Sequence, residues 1–104
     1  MRLMMKVSLP VETANDLAMD GMLGKKIKEI LDEQKPEAAY FTTEDGLRTG
    51  LLFINVKDSS EIPKFAEPWF LSFDAFVDFK PVMAPADLQK AEKHLKAAAK
   101  KYSI

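Results

Sequence analysis

The chain has 104 residues, with fifteen basic and sixteen acidic side chains, a formal charge of −1 and no cysteine. A near-neutral balance offers no global attraction for nucleic acid or an anionic bilayer, and the missing thiols exclude disulfides, thiolate nucleophiles and every cysteine-based metal centre. Apolar residues make up 47%, near the globular average, so one folded domain spanning residues 1–104 is expected.

The opening MRLMMKVSLP has only the first features of a signal peptide, because Lys6 interrupts the apolar run and Glu12, Asp16 and Asp20 soon follow. No run approaches the ~18 apolar residues of a membrane span. A soluble, cytoplasmic protein is the expectation, with no membrane or nucleic-acid partner.

Residues 3–9 predict a first strand, with Leu3, Met5, Val7 and Leu9 on one face and Met4, Lys6 and Ser8 on the other. Pro10 stops its pairing. Thr13 or Asn15 is a candidate cap for a helix whose stripe is Leu17, Gly24, Ile27 and Leu31, widened by Leu23 and Ile30, ending before Pro36. Gly21 and Gly24 do not form a phosphate-loop fingerprint; they read as a close helix–sheet approach or as a break between two shorter helices.

Strands at 38–43 and 48–56 flank Asp45–Gly46, a strong hairpin signal, and should be antiparallel neighbours. In the second of these, Leu51 and Phe53 point one way while Leu52, Ile54 and Val56 point the other, so both faces of the strand must leave water. A chain this small can cover one face with its own helices; a second subunit is expected to cover the other. Asp58, Ser59 or Ser60 is placed to cap a short helix carrying Ile62, Phe65 and Ala66, which Pro68 distorts or ends. Residues 75–83 restore strand character. The final segment opens with proline and carries a stripe of Leu88, Ala91, Leu95, Ala98 and Tyr102.

The predicted order is β–α–β–β–α–β plus a C-terminal helix, the split βαβ plan of an α+β, ferredoxin-like domain. With its opening MKVSLP, the hairpin strand GLLFINV, the segment DSSEIPKFAEPWF and the fourth strand leading into FKPVM, the chain resembles a small family of the dimeric α/β-barrel, ferredoxin-like superfamily. The resemblance covers residues 3–83. It implies a homodimer whose two sheets pack into a barrel with the helices outside. The scaffold is shared by small monooxygenases, muconolactone-type isomerases, haem enzymes and stress proteins, so it implies a pocket rather than a reaction. Neither an Asn–Trp–His constellation nor a haem-ligand setting matches these residues, and no catalytic residue carries over.

Tyr40, Arg48, Phe53, Trp69 and Phe70 are the candidate ligand-pocket residues: aromatic walls with Tyr40 or Arg48 to hold an oxygen. The competing reading packs Phe53 and Trp69 into the core. His94 is the single histidine, at the edge of the last helix's stripe without an orienting carboxylate; it reads first as a surface or boundary residue, and joins the set as a ligand contact in the alternative rather than as a base. Asp74 and Asp78 would share a face of a regular strand, but no further oxygen ligands accompany them. Lys90, Lys93, Lys96, Lys100 and Lys101 form a solvated helix face, without an RNA-recognition strand or KH loop beside it. No cofactor or metal is expected. The functional expectation is a homodimer that binds a small hydrophobic or aromatic molecule. The alternatives are a cofactor-independent monooxygenase or isomerase and a non-catalytic structural or regulatory dimer.

Overall fold

The computed structural model describes residues 1–104. β1 (Arg2–Leu9) leads into α1 (Val11–Met19) and α2 (Leu23–Gln34), and β2 (Ala38–Glu44) turns into β3 (Leu47–Asn55). A 3-10 turn at Ser59–Glu61 opens α3 (Ile62–Phe73), which is followed by β4 (Phe76–Pro81) and α4 (Pro85–Tyr102). The strands form one antiparallel sheet in the order β2-β3-β1-β4. This α+β arrangement is compatible with a ferredoxin-like fold. At the hairpin, Asp45 (φ 53°) and Gly46 (φ 77°) both occupy the left-handed region, the geometry that lets a two-residue turn follow the strand twist.

The registers sort the side chains. Met5 lies opposite Leu52 and Phe79, and Leu3 opposite Ile54, so these residues share one face with Val7 and Leu9. That face packs on Ala14, Ile30, Phe65, Trp69 and Phe73 from the helices to form the core. Leu51 and Phe53 lie on the opposite face, beside Lys6 and Met4, and are only half-buried, whereas Leu52, Ile54 and Val56 are buried. The split faces of this strand therefore match the alternation in its sequence. The helices of the chain cover one face and leave the other open.

Three local expectations change. The first helical region is two helices, separated at Gly21 (φ 71°). Gly24 has open space around it, so the close-approach reading of the glycines does not hold and the break reading does. Neither Thr13 nor Asn15 is a cap: α1 begins straight after Pro10, whose fixed φ suits a helix start. Thr13 donates to Asp74 and Asn15 accepts from Arg48. Pro68 does not end its helix, because α3 continues to Phe73, with Asp74 in a left-handed C-cap (φ 54°). Burial of Phe65, Ala66, Trp69 and Phe73 along one side outweighs the backbone hydrogen bond that the proline removes.

α4 stands apart. None of its residues is buried, and the helix has no substantial packing against any other element. The chain measures 61 × 28 × 21 Å with a radius of gyration of 17.6 Å, against about 13 Å for a compact chain of this length. At ~1.5 Å per residue an 18-residue helix is about 27 Å long, and α4 accounts for the elongation.

Candidate functional site

A cavity of about 390 Å³ lies between the helix-covered face of the sheet and the helices. Val7, Leu9, Phe41, Arg48 and Gly50 line it from the strands, with Thr42 and Thr49, and Ile27 and Trp69 line it from α2 and α3. Gly50 shapes its floor. A Cβ there would sit 3.1 Å from both Phe41 and Leu52, so the Phe41 ring lies across the bare glycine and forms one wall.

Trp69, 1% exposed, is a core residue as well as a wall. Its indole nitrogen donates to Gln34 Oε1 at 3.1 Å, while Gln34 Nε2 donates to the Phe65 carbonyl at 2.9 Å. Its ring tilts against Phe73 with centroids 5.7 Å apart. These contacts fix the indole plane, and the residue also lines the cavity.

Arg48 is the charged group of the cavity. It is half-buried, and its guanidinium donates to the Asn15 side-chain oxygen at 3.0 Å. No carboxylate lies within 4.0 Å of it, in contrast to Arg2, Lys6, Lys28, Lys64 and Lys96. A neutral amide orients the guanidinium without neutralising it, so donor capacity remains on the cavity side.

The other candidate residues are elsewhere. Tyr40 (63% exposed) and the half-buried Phe53 lie on the open sheet face, Phe70 is exposed on α3, and His94 is exposed on α4. Of the six, the fold brings Arg48 and Trp69 together and disperses the rest. Asp74 caps α3 and Asp78 lies opposite Lys6 on the open face, so they are not a carboxylate pair. Phe41 and Gly50 are the residues that reading the sequence passed over. An isolated glycine inside an apolar strand is the available signal, since it marks a close approach by a neighbour. The neighbour itself depends on the register of β2 against β3, which composition does not carry.

No group of three or more His, Cys, Asp or Glu side chains is arranged to hold a metal ion, and no helix is long and apolar enough to cross a membrane. The shifted ionisations lie outside the cavity. A hydrogen bond from Arg2 holds the Glu37 carboxyl below its ordinary range, helped by Asn55. Backbone amides of Ser60 and Lys57 do the same for Asp58 and Glu61 at the head of α3. These are fold-closing contacts. A scan against protein-family models finds no match to the chain, and a search of curated proteins finds none either.

Proposed function

We propose that this chain is a ferredoxin-like homodimer that binds a small apolar or aromatic molecule bearing an anionic or strongly hydrogen-bond-accepting group. The observation that carries the reading is the mostly apolar cavity lined by both the unneutralised Arg48 and Trp69. Its volume falls within the ~300–1,000 Å³ of ordinary small-ligand sites. Arg48 supplies directed donors for an oxygen, while Leu9, Ile27, Phe41 and Trp69 supply the apolar enclosure.

Binding is favoured over catalysis by the lining itself. No histidine, aspartate or glutamate lines the cavity, and an arginine exchanges no proton at neutral pH. An oxygenase or isomerase would need a group that takes or delivers one. The open sheet face, with Leu51 and Phe53 on β3 and Lys6, Glu44 and Asp78 around them, supports dimerisation through the sheets. Apolar centres and charges of both signs suit a self-complementary, isologous contact.

The single tryptophan of the chain lines this cavity, so its emission is a direct reporter. Titration with aromatic carboxylates and their neutral amides should change Trp69 fluorescence saturably, with the carboxylates tighter. Arg48→Gln should weaken carboxylate binding about tenfold or more and leave the amides near their wild-type affinity, as loss of a charge-assisted hydrogen bond is worth ~1.5–3 kcal/mol. A broad panel of such compounds that leaves the emission unchanged would rule out the binding reading.

A further inference from the structure

The stripe of α4 has a stricter period than an ordinary surface helix. Leu88, Leu95 and Tyr102 are spaced by seven, as are Ala84 (the extended residue that precedes the helix), Ala91 and Ala98, and the two sets interleave at alternating intervals of four and three. This is a narrow heptad seam rather than the broad stripe with which a helix covers a globular core. The protomer provides nothing for it to cover: Leu88 is 53% exposed, Leu95 60% and Tyr102 74%. In proteins most helical stability comes from packing of an amphipathic face, and α4 has no such packing within its own chain, so its exposed seam needs a partner.

We infer that α4 pairs antiparallel with α4 of a second copy of this chain. The sequence is self-complementary in that orientation. When Ala91 faces Leu95 of the second copy, Leu88 faces its Ala98 and Tyr102 faces its Ala84, and the reciprocal contacts repeat these. Every layer then sets one large side chain against one alanine, which keeps the helix separation even along the seam. A parallel pair would stack leucine on leucine and alanine on alanine, alternating crowded and empty layers. Charge agrees with the antiparallel choice. Asp87 and Lys101 occupy the same flanking position two heptads apart, so Asp87 of each copy faces Lys101 of the other at both ends. Near the two-fold axis the two Glu92 side chains approach, and each is held by its own Lys96 at 3.6 Å. Lys93 and Lys100 point outward and stay in water.

A membrane or a nucleic acid fits these observations less well. α4 carries five lysines against Asp87 and Glu92, a net +3, but this leaves −4 on the rest of the chain, which repels an anionic surface. Three of the six seam residues are alanines, which favour close helix approach over insertion among lipids. The inference takes from the proposed function only that the chain self-associates. It is independent of the ligand cavity.

Sedimentation equilibrium of the full-length wild type and Leu95→Asp is the central test. Leu95 contributes nothing to the protomer core, so this variant should keep the thermal unfolding of the sheet and its ligand response while its dimer dissociation constant rises at least tenfold. Because the chain has no cysteine, single-cysteine variants add an orientation test with a short bismaleimide cross-linker. His94→Cys, beside the axis, should give a covalent dimer. Lys101→Cys should not, since the two positions would be about 24 Å apart along an antiparallel pair. Phe53→Asp separates this seam from the sheet face. Unchanged association of Leu95→Asp, with dimerisation lost in Phe53→Asp, overturns the α4 pairing and leaves the sheet dimer standing. Efficient cross-linking of Lys101→Cys overturns the antiparallel orientation. A monomeric wild type at 100 μM overturns the pairing outright, as does a monomer whose α4 instead binds anionic vesicles or duplex DNA.

Discussion

At the scale of single residues, three depressed carboxyl groups fix the acid side of stability. Glu37, bonded first of all by Arg2, and Asp58 and Glu61, bonded by backbone amides, titrate lower in the folded chain than in the unfolded one. The unfolded state therefore binds more protons as pH falls. The contribution of these groups is fully present above the ordinary carboxyl range of about 4 and is lost as pH drops through their folded values. The melting temperature should be level from neutrality down to about pH 5 and fall below it. Glu37→Gln, which keeps the shape but loses the titration, should lower the neutral-pH plateau and flatten part of the acid limb. An acid limb identical to the wild type would show that Arg2–Glu37 contributes nothing to it. Gly50 is decided by packing rather than charge. In Gly50→Ala the new methyl meets Phe41, which has room to swing outward, and Leu52, which is fully buried and does not. Chemical denaturation should show a loss of about 1 kcal/mol, the low end of overpacking costs.

Among the elements, α3 shows what a sequence conveys and what it withholds. Proline is a local signal with a known cost, and taken alone Pro68 predicts a helix end. The side chains that overrule it, Trp69 and Phe73, are only worth their burial once the sheet they pack on exists. For the same reason the alternation in β1 and β3 was legible, because a period of two is written in the strand itself, as was the Asp45–Gly46 turn. The pocket was not. Arg48 and Trp69 line one cavity only because α3 packs across the core face of the sheet to which β3 contributes Arg48, and Tyr40 is separated from Arg48 because the two sit on opposite faces of the sheet. Residue type marked all six candidate positions; register decided which of them could meet. Truncating the anchor of α3 measures the tertiary term directly. Trp69→Ala removes the packing on Phe73 and leaves Gln34 without its indole donor, so urea denaturation should show a loss of about 3–5 kcal/mol. A loss below about 1 kcal/mol would mean that α3 is not held by this side chain.

For the molecule as a whole, the body and α4 differ in what stabilises them, and amide exchange separates the two. The central strand β1 and its neighbour β3 lie in a core of fully buried side chains, among them Met5, Leu52 and Phe73. Their amides should exchange only through global unfolding, at a rate independent of protein concentration. α4 has no such support within its own chain, whereas most helical stability in proteins comes from packing of an amphipathic face. With α4 paired as inferred above, the amides of residues 88–102 should be protected at concentrations where that pair forms and exchange within seconds on dilution below its dissociation constant. In Leu95→Asp they should exchange fast at every concentration, with far-ultraviolet dichroism losing part of the helical signal while the strands keep their slow exchange. If α4 instead remains equally protected at all dilutions, some contact inside the protomer must cover it. Protection that follows concentration would identify α4 as an arm whose helical state is completed by a second chain.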